Sequence, residues 1–167
     1  TGTLTHGQFH VDHLTEIGKA RTRKEMLGLL ALMEAPSSHP LSETLVRAAR
    51  KEGVSIPRDA NIALHTVLKG EGVTAQVNGK QVYVGNKRLF ERIGMYSALP
   101  LSQQNISSQW ADNGATVGFI GVEGDGIIGA FSMIDTIREE AYDTIQSLYN
   151  SNINVVMLTG DGEGAAH

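Results

Sequence analysis

The chain has no cysteine, which excludes disulfides and thiolate metal sites and leaves the compartment undecided. No apolar run approaches the roughly 20 residues that span a bilayer, and no basic-then-apolar start suggests a signal peptide. Basic residues number 14 against 18 acidic ones, a formal net charge of -4, so the chain lacks the basic surplus of an electrostatic nucleic-acid binder. No nucleic-acid partner is expected. There is no Gly-Lys-Ser/Thr, which excludes a Walker-type P-loop, and Gly70-Glu71-Gly72 lacks the third glycine of a dinucleotide fingerprint. Internal repeats, low-complexity tracts and long linkers are absent too. What remains is 167 residues, 41% hydrophobic and 19% charged, ordinary for one globular domain plus part of another.

Periodicity supplies the elements. Gln8 to Leu14 alternates loosely, as a strand does. From Arg23, Met26, Leu29, Leu30 and Met33 recur at helical spacing, and Leu41, Leu45, Val46 and Ala49 do so again before Gly53. Pro40 suits the first position of that second helix, with Ser42 and Glu43 in its first turn. Leu64 to Lys69, Val73 to Val77 and Gln81 to Val84 predict an antiparallel meander, and Asn78-Gly79 is a two-residue type I′ hairpin signal. Helices are expected at Lys87 to Ile93 and Ser102 to Ala111. Strands at Thr116 to Val122 and Ile127 to Ile134 flank the turn Gly124-Asp125-Gly126. Ile137 to Tyr149 predicts a helix and Ile153 to Leu158 a buried strand, a change of rhythm that places a domain boundary near Ile134.

Several short motifs carry chemistry. Thr1-Gly2-Thr3-Leu4-Thr5 offers hydroxyls and backbone N–H groups suited to a phosphate. Thr159-Gly160-Asp161 follows Val155-Val156-Met157-Leu158, at the carboxyl end of the expected strand, where open α/β sheets place ligands. Ser37-Ser38-His39-Pro40 puts a histidine at a helix start, able to orient against a base or a phosphate. Glu34 lies five residues upstream, and on its own terms is a solvated carboxylate at a helix end. Gly70-Glu71-Gly72-Val73 follows a strand, and alone is a bulge or tight turn. Gly85-Asn86 precedes a helix that Asn86 would cap. Asp135 and Arg138, in Asp-Thr-Ile-Arg, sit where Asp135 would cap the next helix. His6, His10 and His13 do not predict a metal site, because alternation along a strand sends His10 and His13 to opposite faces.

In order and spacing these motifs resemble a P-type ATPase of the heavy-metal branch, over essentially the whole chain. That family opens Asp-Lys-Thr-Gly-Thr-Leu-Thr, and its Asp takes the phosphoryl group, so the nucleophile would lie just before Thr1. The resemblance implies an α+β nucleotide-binding domain over residues 7–133, an antiparallel sheet of about six strands flanked by helices. Residues 1–6 and 134–167 would be part of a haloacid-dehalogenase-like phosphorylation domain. Thr1, Thr3, Thr159, Gly160 and Asp161 would surround the phosphate. Glu34 would accept from the adenine amino group, with His39, Gly70, Gly72, Val73, Gly85 and Asn86 around the nucleotide and Asp135 and Arg138 at the hinge. Gly72→Val is expected to weaken nucleotide binding with the fold intact.

Two positions depart from the family pattern: Ser38 stands in place of Glu, and Gly162 in place of Asn. The family's later magnesium motif and lysine do not occur in this sequence. The cofactors implied are ATP and Mg²⁺. The implied partners are the transmembrane and actuator domains of a membrane-integral parent pump, with this domain on its ATP-containing side and the transported metal bound elsewhere. These residues alone are expected to turn over nothing. Two rivals share the features: a soluble haloacid-dehalogenase-type phosphatase with a large cap, and a non-enzymatic nucleotide-binding module.

Overall fold

The computed structural model describes residues 2–57 and 60–157. Along the chain run β1 (Thr5–Glu16), α1 (Arg23–Glu34), α2 (Pro40–Lys51), β2 (Ile62–Leu68), β3 (Gly72–Val77) and β4 (Lys80–Gly85). Then come α3 (Lys87–Arg92), a 3-10 turn (Tyr96–Ala98), α4 (Leu101–Asp112), β5 (Thr116–Val122), β6 (Gly126–Ile137) and α5 (Ala141–Asn150). The six strands form one antiparallel sheet in the order β1-β6-β5-β4-β3-β2. This is the six-stranded sheet flanked by helices that the family resemblance implied.

Local chemistry starts each element. Thr22 and Glu25 close a capping box at the head of α1, satisfying two backbone donors that the first turn would otherwise leave open. Pro40 opens α2. The β3–β4 turn has Asn78 at φ 51° and Gly79 at φ 80°, the paired positive angles that a type I′ turn requires. Helices α1 and α2 cover one face of the sheet, where Met26, Leu30, Met33 and Leu45 pack with Val82, Val84, Ile120 and Phe131. On the other face Leu89, Phe90, Tyr96 and Leu99 pack with Phe119, Ile127 and Ala130. Because both faces are covered, the central strands β5 and β6 are buried nearly throughout. Each large apolar side chain so buried contributes roughly 1.5–3 kcal/mol.

Four expectations need correction. Strand β1 is longer than Gln8 to Leu14, because β6 continues to Ile137 and pairs it as far as Thr5↔Ile137. That same ladder holds Asp135 to Ile137 extended, so the helix expected from Ile137 starts only at Ala141, and Asp135 caps nothing. Ile153 to Met157 joins no ladder, and Val156 is 87% exposed; an apolar run becomes a buried strand only where neighbouring strands flank it. Finally, a bulge between Val11 and His13 resets the register of β1, so His10 faces Ile134 and His13 faces Ser132. Those partners are two apart, so the two histidines share a face. Among the described residues no helix is long and apolar enough to cross a membrane.

Candidate functional site

Between α2, the β2–β3 turn and the ends of β4, β5 and β6 lies a cleft of about 380 Å³, within the usual range for small-molecule sites. Its rim carries Glu34, Ser37, His39, Ser42, Gly70, Glu71, Gly72 and Asn86; Leu45, Val84, Val117, Phe131 and Met133 supply apolar walls. Of the nine residues singled out in sequence for the nucleotide, seven, Glu34, His39, Gly70, Gly72, Val73, Gly85 and Asn86, line this single cleft, and Asp135 and Arg138 do not.

Glu34 ends α1 and is only 7% exposed, not the solvated carboxylate that its place at a helix end predicts. Ser42, in the first turn of α2 and also buried, donates its hydroxyl proton to Glu34 Oε2. Burial pushes the Glu34 carboxyl above its ordinary pKa, while the Ser42 hydrogen bond and the nearby His65 and His39 rings pull the other way. His65 arrives through irregular backbone: β2 shifts register between Ala63 and Thr66, Leu64 has φ 55°, and His65 Nε2 lies 2.8 Å from the Met33 carbonyl oxygen. A carbonyl only accepts, so His65 carries its proton on Nε2.

His39 caps α2, its Nδ1 accepting from the Leu41 N–H at 3.2 Å. In the neutral ring the proton therefore sits on Nε2, which is left as a donor. Ser37 Oγ in turn accepts from the His39 N–H.

The glycine turn is latched from β4 and α3. Asn86 Nδ2 and Arg88 Nη2 donate to the Gly70 carbonyl at 2.9 and 3.0 Å, and the Asn86 N–H donates to Glu71 O at 2.8 Å. Arg92 clasps the Glu71 carboxylate, holding it below the usual carboxylate range. Asn86 also caps α3 through the Leu89 N–H. Strands β3 and β4 cross so closely that a Cβ on Gly72, whose φ is 145°, would fall on the Val84 carbonyl and 2.5 Å from Gly85 Cα. A Cβ on Gly85 would strike the Glu71 carbonyl and the Leu89 side chain. Both glycines are thus required by the sheet itself, and the expectation that Gly72→Val spares the fold does not survive.

Asp135 and Arg138 do not line the cleft. Asp135 sits on β6 opposite Phe9, and among the described residues both its carboxylate oxygens are buried without a hydrogen-bond partner. Arg138 ties the start of the chain to the end of β6: its N–H donates to Leu4 O at 2.9 Å and its Nε to Thr5 O at 3.1 Å. Thr3 precedes β1, away from the cleft. Thr1, Thr159, Gly160 and Asp161 lie outside the described residues. Asp125, in the β5–β6 turn, is engaged by Arg21 and Lys80. His13 stacks on Trp110 at 4.7 Å between ring centres. No group of three His, Asp or Glu among the described residues could hold a metal ion.

Sequence reasoning missed Ser42, His65 and the apolar walls. Gly118 carried a faint signal: a glycine inside an apolar strand marks close packing, and here Phe131 lies over it. Nothing in sequence pairs Ser42 with Glu34, since only the docking of α2 against α1 brings them together.

Comparison with known proteins fits this geometry. The family model for haloacid dehalogenase-like hydrolases matches residues 1–167. Among curated relatives, the cadmium/zinc-transporting ATPase HMA2 of Oryza sativa subsp. japonica is 30% identical over 99% of this chain and 15% of its own length. The probable copper-exporting P-type ATPase V of Mycobacterium tuberculosis is 33% identical over 99% of this chain and 21% of its own. A zinc-transporting PIB-type ATPase of solved structure matches with TM-score 0.64 and 28% identity, over 99% of this chain and 25% of that one. The chain thus spans about a fifth or less of these curated relatives' length. The catalytic domain of the CPx-ATPase CopB-B shares the fold, with TM-score 0.67 at 23% identity. The chain belongs to the haloacid dehalogenase-like hydrolases, and its homologues along its whole length are heavy-metal P-type ATPases.

Proposed function

We propose that the cleft binds ATP and that the chain is the nucleotide-binding part of a heavy-metal-transporting P-type ATPase. Residues 7–133 form that domain; residues 1–6 and 134–167 belong to its phosphorylation domain, with the β1–β6 ribbon at Thr5↔Ile137 and Arg138 as the connection between them. The observation that carries this reading is the convergence on one cleft of Glu34, His39, the Gly70–Val73 turn and Gly85-Asn86. A soluble phosphatase of the same family has no need of that set.

The cleft suits an adenine nucleotide. Its apolar walls match a purine's faces, Glu34 offers an acceptor to an exocyclic amino group, and His39 Nε2 offers a donor. Bare backbone at Gly70, on the rim of the cleft, allows close approach. ATP supplies the phosphoryl group and Mg²⁺ would accompany its phosphates, while base recognition rests on this chain alone. Thr1, Thr3, Thr159, Gly160 and Asp161 are assigned to the phosphate side. In the parent pump, phosphoryl transfer to an aspartate would drive metal across a membrane, with the transmembrane and actuator domains as partners in the same chain.

Calorimetric titration with ATP, with and without Mg²⁺, tests the reading. Binding in both conditions is expected, and no heat at millimolar nucleotide overturns it.

A further inference from the structure

We propose that Ser42 is a positioning residue for base selection, fixing Glu34 as an acceptor so that the cleft takes 6-aminopurine nucleotides and rejects 6-oxopurine ones. The inference rests on the nucleotide reading above. Ser42 Oγ and Glu34 Oε2 are in hydrogen-bond contact, both residues are buried, at 5% and 7% exposure, and both line the cleft. A serine hydroxyl has one proton. Given to Oε2, it makes that oxygen an acceptor and fixes the carboxylate plane, leaving Oε1 for the ligand.

Without that bond the same burial that already raises the Glu34 pKa would favour the protonated acid. A protonated carboxyl has a donor, and a donor suits the carbonyl of a 6-oxopurine. Ionised, Glu34 accepts only: it pairs with the amino group of adenine and opposes the oxygen of hypoxanthine. His39 and His65 face Glu34 from α2 and β2 and favour the same ionised state.

The test is titration of the chain with ATP and with ITP, which differ at position 6, amino against carbonyl, and at the adjoining N1, an acceptor in adenine and an N–H donor in hypoxanthine. The unsubstituted chain should bind ATP at least tenfold more tightly than ITP, about the worth of one hydrogen bond. Ser42→Ala should narrow that ratio to about threefold or less, chiefly by weakening ATP. Ser42→Thr keeps the hydroxyl and should restore the ratio. Ser42→Cys, of similar size with only a weak donor, should behave as Ser42→Ala and serves if the alanine variant folds poorly. An unchanged ATP:ITP ratio, or equal loss of both nucleotides, overturns the role of Ser42 and leaves the ATP site standing. If the unsubstituted chain binds neither nucleotide, the ATP site falls and this inference with it.

Discussion

Gly72→Ala should destabilise the sheet before it touches any ligand. At φ 145° Gly72 lies where side chains are strained, and the new methyl would land on the Val84 carbonyl and within 2.5 Å of Gly85 Cα. Strain at such a φ costs about 1–3 kcal/mol. Forcing a methyl into filled space costs a further 1–3 kcal/mol, roughly. The neighbours here are backbone atoms of β4, which yield less readily than a side chain, so a total of about 3 kcal/mol or more is expected. Urea unfolding of the variant should show a lowered midpoint with an unchanged slope. Amide exchange should be fastest in β3 and β4. Gly70→Ala is the matched control: its methyl would meet only Arg88 Nη2, at 3.5 Å, and Gly70 has φ 72°, so the cost should stay near 1 kcal/mol. A Gly72→Ala variant within about 0.5 kcal/mol of the parent would refute the close-approach argument.

Three further outcomes are expected. His39→Ala should cost both nucleotide affinity, about tenfold, and about 1 kcal/mol of stability from the lost cap; His39→Asn should keep the cap and lose only affinity, as paired titrations and melts would show. Glu34 has a raised pKa, so its contribution is most favourable below its ordinary pKa and fades as pH rises through the folded one. Thermal melts should therefore show Glu34→Gln gaining stability relative to the parent toward pH 8, and no such trend would contradict the burial argument. Asp125 is held low by Arg21 and Lys80, so its contribution is present above its ordinary pKa and lost as pH falls through the depressed one. Acid unfolding of Asp125→Asn should lack that part of the pH dependence.

Most elements were legible because their signals were local. Pro40, Asn78-Gly79 and the spacing of Met26, Leu30 and Met33 each act within a few residues. What failed was tertiary: the reach of β6 to Ile137 depends on β1 beside it, the bulge before His13 on the pairing register, and the state of Ile153 to Met157 on neighbours that propensity cannot supply. The cleft divides the same way. Its polar rim apart from Ser42 falls in short motifs with recognisable chemistry, whereas Phe131, Met133 and Val117 resemble any core residue, and the buried state of Glu34 follows only from α2 lying against α1.

Backbone NMR of the chain during titration with ATP tests the central claim most directly. Shift changes should concentrate at Glu34 to Ser42, Gly70 to Val73 and Gly85-Asn86, three segments far apart in sequence that share the cleft. Saturable binding with shifts confined to other surfaces, or no shifts at millimolar ATP, would contradict the account.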